Sequence, residues 1–238
     1  MRRALTCSAL VALVLAADLP VGAQPDNIGL PPVVQRFLTT IDHGPSSYRA
    51  LRRLEVHSSH LDGAAWMNVW TTADESGFRY EIIDQGGSGY VRDRLFLPAL
   101  ESEREMWGAG PRGAVTPENY TFEDRGAEAT GLARIGVKPR RKDVLLVNGS
   151  IFLRPDDGDL VRIEGALSRT PSFWTRKVQI VRRYDRVAGV RVPVALESVA
   201  SILMAGKATF TMSYQYHTVN GIEVAPDGSS ADTGNGVR

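Results

Sequence analysis

The stretch DQGGSGYVRD, residues 84–93, places three glycines and a serine where a phosphate group could bind. A phosphate loop needs a glycine-rich turn between a parallel strand and a helix, within GxGxxG or GxxxxGK[ST]. Neither pattern is present, no lysine follows, and the preceding strand belongs to a predicted antiparallel meander. We therefore interpret the stretch as a turn, in which Ser88 caps the next helix and Asp93 interacts favourably with the helix dipole.

Serine and histidine patterns do not indicate a hydrolase. Ser88 lies in GGSGY, which lacks the second glycine of GxSxG, and no serine begins an SxxK motif. A catalytic triad could still assemble in space, because its members need not be neighbours in sequence. The histidines open to that alternative are His43, His57, His60 and His217. No pattern selects among them, so we predict no catalytic residues and no enzymatic activity.

Two patterns could bind a metal ion. His57 and His60 are three residues apart, which places them on opposite faces of a strand, although a turn beginning at Ser59 could bring them together with Asp62. The segment RPDDGDL resembles part of a calcium loop, yet the glutamate that ends such a loop is missing and a hairpin turn is required there. We predict no metal ligands and no cofactor.

The first residues have the pattern of a secretory signal peptide. Arg2 and Arg3 precede an apolar run over residues 4–17, and Val21 and Ala23 occupy the −3 and −1 positions of a cleavage site. Cleavage near Ala23 predicts a periplasmic or secreted protein. No later run approaches the roughly 20 apolar residues that a membrane-spanning helix requires, so we expect the mature chain to be soluble.

Removal of the signal peptide changes the chemistry that remains available. Cys7 is the only cysteine and is lost, which excludes disulfides, thiolate nucleophiles and cysteine metal sites in the mature chain. The 28 lysines and arginines lose Arg2 and Arg3, and the 27 acidic residues lose Asp18, which leaves 26 of each. A chain of zero net charge without a basic block is a poor ligand for nucleic acid or for an anionic membrane surface.

The chain is long enough for one sizeable domain. We place a signal peptide at 1–23, a linker at 24–30 and a single domain at 31–222. Residues 223–238 are almost free of apolar side chains towards the end, which predicts a disordered tail.

The domain begins with a helix at residues 31–42, where prolines fit the first turn and apolar residues recur at helical spacing. The period then changes to two, and we predict strands at 48–59, 64–73 and 78–84, with Asp62-Gly63 as a hairpin signal. A second helical region follows at 90–107, in which Pro98 kinks the helix or begins another.

Beyond Asn119 the chain is nearly all strand, with short turns between the segments. The strand sequences are GLARIGVK, DVLLVNGSIFLRP, DLVRIEGALSR, WTRKVQIVRRYDRV, GVRVPVALESVASIL and KATFTMSYQYHTV. Short connections between neighbours predict an antiparallel meander. In the last of them Phe210, Met212 and Tyr214 share one face, and Thr211 and Ser213 share the other. This alternation predicts a sheet with one face covered and one in water.

Long twisted strands in a sheet of about eight to ten members coil strongly. We therefore predict a mainly β (α+β) fold, in which a long-stranded antiparallel meander curves into an open half-barrel with helices covering its concave face. Two short helices would not fill so large a concavity, so an apolar cleft is expected beneath them.

Aromatic and aliphatic side chains along the strands are the candidates to line this cleft, although aromatic residues dominate ordinary cores as well. The predicted ligand-binding residues are Trp66, Trp70, Phe78, Tyr80, Val178, Ile180, Val194, Leu196, Phe210, Met212 and Tyr214.

The order of elements, together with SFWTRKVQIVRRYDRVAGVRVPVALES at 172–198, resembles the periplasmic lipoprotein-sorting carriers of the LolA/LolB-like family. In that segment a tryptophan, a basic strand, a tight turn and a Val-Pro strand follow in order. The resemblance covers about residues 31–222. It implies an open β-barrel with a helical lid and a hydrophobic cavity that accepts acyl chains, but transfers no individual binding residue.

These observations lead to one functional hypothesis and two alternatives. We expect a monomeric, non-enzymatic periplasmic protein that holds a lipid or lipoprotein acyl chain, as a lipoprotein-sorting carrier would. The first alternative is a cell-envelope module that binds another protein through a sheet edge or an arginine-rich face and has no lipid ligand. A secreted hydrolase is the second.

Overall fold

The structure, a computed structural model, describes six stretches of the chain: 29–40, 44–58, 64–107, 112–170, 175–202 and 206–225. The predicted signal peptide with its cleavage site near Ala23, most of the predicted linker and most of the predicted tail lie outside the described residues. The same holds for His43, His60 and the turn at Asp62-Gly63.

The described residues contain eleven strands in one sheet. Their bounds are β1 Tyr48–Ser58, β2 Ala65–Asp74, β3 Gly77–Gly87, β4 Tyr120–Ala127, β5 Ala133–Pro139, β6 Val147–Leu153, β7 Leu160–Leu167, β8 Thr175–Val187, β9 Val190–Ile202, β10 Gly206–Val219 and β11 Ile222–Glu223. The segments predicted as strands are confirmed, and the sheet is slightly larger than expected because residues 120–127 and 222–223 also pair.

The strand order is β3-β2-β1-β10-β9-β8-β7-β6-β5-β4, with β11 beside β10 and every pair antiparallel. Two meanders, β1 to β3 and β4 to β10, are joined where Leu54 of β1 faces Met212 of β10. In the described part of the chain β3 and β4 do not pair with each other, so the sheet is open, as predicted.

One face of the sheet is packed and the other is largely wet. In β1 the buried residues alternate with more exposed ones and are Tyr48, Ala50, Arg52, Leu54 and Val56. We call this face, and its continuation in the paired strands, the covered face. The outer face carries the residues between them, such as Arg49 and Arg53. The predicted alternation in β10 is confirmed, since Phe210, Met212 and Tyr214 are buried on the covered face.

Two helical regions lie on the covered face. The first is α1, Pro32–Thr39, with proline in its first turn as expected. The second runs through α2 Gly89–Val91, a π-helical turn Arg92–Phe96 and α3 Leu97–Met106. We call this second region, residues 89–106, the helical cover. Pro98 lies in the first turn of α3, so the chain accommodates it beside a π-helical turn.

The buried apolar residues of the covered face fall into three clusters. The helical cover packs on β1, β2, β3, β9 and β10, where Leu54, Met67 and Phe210 are buried against Phe96 and Leu100. Helix α1 packs on β4 to β7 through its residues Val33, Val34 and Phe37. The third cluster, on β6, β8 and β9, consists of Val147, Val178, Ile180 and Ala200 and contains no helical residue.

A glycine pair brings β6 and β7 unusually close together. Gly149 faces Gly165, and a Cβ atom added at Gly149 would lie 2.0 Å from the carbonyl oxygen of Glu164. A Cβ atom at Gly165 would lie 2.4 Å from the oxygen of Asn148, and this residue has φ +151°. Only glycine fits at this contact, because a Cβ atom would clash with the backbone of the neighbouring strand.

Candidate functional site

The covered face presents apolar residues in rows that cross the sheet, because neighbouring strands pair in register. One row crosses eight strands, from β5 to β2: Ile135, Ile151, Ile163, Arg182, Leu196, Met212, Leu54 and Met67. The next row runs from β6 to β2: Gly149, Gly165, Ile180, Ser198, Phe210, Val56 and Ala65. These rows form a continuous apolar surface, interrupted by one charged residue and one hydroxyl group.

The helical cover is attached to this surface by a buried ion pair. Arg52 of β1 donates two hydrogen bonds to Glu103 of α3, with Nη1–Oε2 2.5 Å and Nη2–Oε1 2.7 Å. Both side chains are 1% exposed. The hydroxyl of Tyr48 donates to Glu103 at 3.0 Å and accepts from Arg52 at 2.5 Å, which closes the network. Such a pair is stable only when both partners are present, because either charge alone would be buried and uncompensated.

Polar and aromatic contacts hold the rest of the helical cover. At its beginning the Ser88 hydroxyl accepts a hydrogen bond from the Val91 amide at 3.5 Å, as the sequence predicted. Phe96 in the π-helical turn is fully buried, with its ring 6.0 Å from that of Phe210. At its end the indole nitrogen of Trp107 donates to the carbonyl oxygen of Asp74 at 3.0 Å. The Ser88 amide also donates to the carbonyl oxygen of Ala64, beside β2, at 3.1 Å, so the cover is attached at both ends and in the middle.

Nine of the eleven predicted ligand-binding residues lie on the covered face. Seven are buried: Phe78, Val178, Ile180, Leu196, Phe210, Met212 and Tyr214. Tyr80 and Val194 are half-buried, and both pack against the cluster beneath the helical cover. The buried side chains are in contact with protein, so a ligand reaches them only by replacing packing partners. Their binding role stays a prediction.

Trp66 and Trp70 lie on the outer face, away from the other nine. The buried residues of β2 are at the odd positions, from Ala65 to Ala73, so both tryptophans point to the opposite side. Trp70 packs against Arg49 at 4.4 Å and against the ring of His217 at 4.6 Å. The structure thus does not bring these tryptophans together with Phe210. Both faces of β2 carry large apolar groups, so its alternation did not identify the buried side.

Arg52, Glu103 and Arg182 are the charged residues that the prediction missed. Each is buried on or against the covered face, where the sequence analysis considered only apolar side chains. A signal was present, because Arg52 falls in phase with Leu54 and Val56, and Arg182 falls in phase with Ile180. A charge at a position whose alternating neighbours are apolar predicts a buried charge.

Burial raises the pKa of five tyrosines on this face, one of which is the half-buried Tyr80. Desolvation is the largest cause for Tyr48, Tyr120, Tyr214 and Tyr216, and it raises the pKa of Tyr120 and of Tyr214 to about 12. A pKa raised in the folded state means that the folded protein holds these protons more tightly than the unfolded chain. The stability that they contribute is complete below pH 10 and is lost as the pH rises towards 12.

We therefore expect the free energy of unfolding, measured with urea, to fall between pH 10 and 12. For Tyr214→Phe the free energy of unfolding should fall less steeply with pH, by about 1.4 kcal/mol for each pH unit, since one titrating group is removed. Tyr90→Phe, which alters an exposed ring, is the control and should follow the unmodified protein. Equal slopes for Tyr214→Phe and the unmodified protein would contradict this assignment.

The RPDDGDL segment, which resembles part of a calcium loop, forms a turn. Arginine side chains bind its buried carboxylate group, that of Asp159. Asp159 is buried and accepts hydrogen bonds from Arg186 at 2.9 and 3.0 Å and from Arg191 at 3.1 Å. Asp157 accepts a hydrogen bond from the amide of Asp159 at 2.8 Å. Among the residues that the structure describes, no three histidine, cysteine or acidic side chains are grouped so that they could hold a metal ion.

A groove of about 310 Å³ opens on the outer face, over β5 to β8. Its lining includes Arg125, Arg134, Ser150 and Glu164, and is mixed in polarity. Gly149, Gly165 and Ile180 of the second apolar row also line it, so the groove reaches the backbone of that row. Within the described ranges, no helix has the length and apolar character needed to cross a membrane.

Comparison with known proteins shows similarity in structure alone. No family model and no curated protein matches the sequence. A LolA superfamily protein from Nitrosomonas europaea is 8% identical, with a TM-score of 0.40 over 81% of this chain and 93% of the other. A DUF1329 family protein from Desulfovibrio piger is also 8% identical, with a TM-score of 0.38 over 76% and 88%. The predicted LolA-like resemblance is confirmed at the level of structural similarity.

Proposed function

We propose that this protein is a non-enzymatic, monomeric carrier of the cell envelope that binds the acyl chain of a lipid or lipoprotein. The observation that carries the proposal is the pair of apolar rows across β8, β9, β10 and β1, which offer an extended hydrocarbon surface. The pattern of residues 1–23 supports a periplasmic location.

The energy for this binding comes from the hydrophobic effect. Each methylene that moves from water into the apolar rows contributes up to about 0.8 kcal/mol. A chain lying along Val178, Ile180, Leu196 and Phe210 would contact side chains that are already arranged in register. We place the chain on the third cluster and beneath the helical cover, because the third cluster contains no helical residue.

Entry of the chain requires the helical cover to move. The cover contains a π-helical turn and is attached by few polar contacts, chiefly Glu103 to Arg52, Glu101 to Tyr80 at 2.5 Å, and Trp107 to Asp74. A helical segment that lies outside the hydrogen-bond ladder of the sheet can open locally at lower cost than the whole fold. The cover would move aside for loading, because its contacts with the sheet occupy the surface that the chain binds.

Envelope protein binding is the second candidate, favoured by the exposed edge of the sheet. β3 is an edge strand of 11 residues, and Ile82 and Ile83 on it are 37% and 51% exposed. An unpaired edge of this length can accept an extended segment of another protein as an additional strand.

The chain-length dependence of binding tests the carrier proposal. Saturated fatty acids from eight to twelve carbons are titrated into delipidated protein by isothermal calorimetry. We expect the affinity to rise about two- to four-fold for each added methylene, because each is removed from water. Native mass spectrometry of the protein purified from the cell envelope should show a co-purified lipid.

Two matched variants locate the binding to one face. Val194→Asn places a polar group at a half-buried position of the covered face and should weaken twelve-carbon acid binding about 10-fold. Trp70→Gln changes the outer face and should leave the affinity unchanged. Binding that is independent of chain length, or lost equally in both variants, would overturn the proposal. Capture of an extended peptide by β3 without acyl binding would support the second candidate instead.

A further inference from the structure

Arg182 on β8 is a buried cation without a carboxylate partner. The residue is 8% exposed, and its guanidinium forms no ion pair with an acidic side chain of the described residues. Its one hydrogen bond to a described residue is a long one, from Nη1 to the hydroxyl of Tyr184 at 3.5 Å. Nη2 is buried and has no hydrogen-bond partner in the described structure. Glu103, the buried acid of this face, already binds both terminal nitrogens of Arg52.

The position of Arg182 in an apolar row makes the lack of a carboxylate partner costly in free energy. It is the single charged residue in the row from Ile135 to Met67, between Ile163 on β7 and Leu196 on β9. An arginine does not lose its proton in a protein, so the group is charged. A buried charge without a partner costs several kcal/mol, and an anion from a ligand would compensate it.

A second unsatisfied polar group lies on the adjacent strand and the same face. The hydroxyl of Ser198 is buried, at 3% exposure for the residue, and has no hydrogen-bond partner in the described structure. Ser198 pairs with Ile180, two residues before Arg182, and diagonal neighbours of this kind lie about 7–8 Å apart. A carboxylate or phosphate group has oxygens enough to accept from a guanidinium and a hydroxyl together.

We propose that the ligand of the covered face is an anionic amphiphile, whose acidic head group binds Nη2 of Arg182 and the hydroxyl of Ser198. Its hydrocarbon chain then lies on the apolar rows on either side of them. This inference rests on the proposed function and narrows it, because it selects fatty acids and alkyl phosphates over neutral lipids. The fork of an arginine matches the planar carboxylate and the phosphate oxygens better than an ammonium group would.

Three twelve-carbon ligands with the same chain test the head group. Dodecanoate, dodecyl phosphate and dodecanol are titrated into the delipidated full-length protein. We expect at least one of the two anions to bind about 10-fold or more tightly than dodecanol, as a charge-assisted hydrogen bond in a buried site implies. The anion that binds more tightly identifies the carboxylate or the phosphate as the preferred group.

Variants then assign the preference to the two residues. Arg182→Met should abolish the preference for the anion while dodecanol binding stays within about two-fold. Ser198→Ala, a nearly isosteric change, should reduce the preference and keep the fold. Arg183→Met, which removes an exposed arginine of the outer face on the same strand, should keep the preference. Arg182→Met should also unfold at the same or a higher urea concentration, since it removes an uncompensated buried charge.

The possible failures are distinguishable. Equal affinities for dodecanol and both anions, or a preference that survives in Arg182→Met, would overturn the anionic head group but leave acyl binding intact. Inorganic phosphate that binds as tightly as dodecyl phosphate would assign the site to a free anion and overturn the amphiphile. Destabilisation of Arg182→Met without a change in preference would give Arg182 a structural role. Failure of all three dodecyl ligands to bind would overturn the proposed function itself.

Discussion

Glu103→Gln is expected to lower the free energy of unfolding by about 3–5 kcal/mol, the usual cost of removing one partner of a buried ion pair. The substitution keeps the size of the side chain but removes the charge that compensates Arg52. Both groups are almost completely buried, so water cannot take over the lost interaction. Urea denaturation followed by circular dichroism measures the effect.

Two further variants separate charge from general perturbation of the helical cover. Glu105→Gln alters an exposed carboxylate on the same helix and should change stability by no more than about 0.5 kcal/mol. Replacing both partners, as Arg52→Met with Glu103→Leu, should recover most of the loss, because well-packed apolar groups often replace a buried pair without cost. If Glu103→Gln were as stable as the Glu105 variant, the ion pair would not hold the cover.

Phe96→Ala is expected to cost about 3–5 kcal/mol of folding free energy, because it leaves a large cavity where a fully buried ring was. The ring lies in the π-helical turn and contacts Phe210, so it fastens the middle of the helical cover to the sheet. Loss of this contact should favour the open state of the cover. We therefore expect the affinity for dodecanoate to increase about 10-fold while the stability falls.

Phe37→Ala is the matched control, since it truncates a buried phenylalanine in the other helix of the covered face. It should lose comparable stability without any gain in dodecanoate affinity. Phe96→Leu is a smaller truncation, used in case Phe96→Ala fails to fold. It should lower the stability and raise the dodecanoate affinity, each by less than Phe96→Ala does. A decrease in affinity for Phe96→Ala would show that the cover does not compete with the ligand.

The Glu103 and Phe96 variants both change how strongly the helical cover is held on the sheet. The cover is stable because Glu103 and Phe96 supply one strong polar and one strong apolar contact to the sheet. A carrier must be able to exchange such contacts for those of its ligand, so the stability of the closed state sets the apparent affinity. Variants at Glu103 and Phe96 therefore report on closure, whereas variants at Arg182 report on the ligand itself.

The local pattern of side chains was sufficient for the class of fold. In β10 the alternation from Ala208 to Tyr216 predicted a strand with one buried face, and the structure confirms it. The helix at 31–42, the cap at Ser88 and the break near Pro98 were likewise predicted. These features depend on backbone geometry over a few residues, so the neighbouring residues of the chain contain the information needed.

Contacts between residues that are distant in the sequence decide which face of each strand is buried and which residues form pairs. Trp66 and Trp70 were predicted beside Phe210, but the register of β2 with β1 turns them to the outer face. Arg52 meets Glu103 across 51 residues of chain, and Leu54 meets Met212 only because β10 returns to pair with β1. Arg182 is a buried cation only within a row built from eight strands. Alternation specifies that a strand has two faces, whereas the assembled sheet and its helices decide which of them is removed from water.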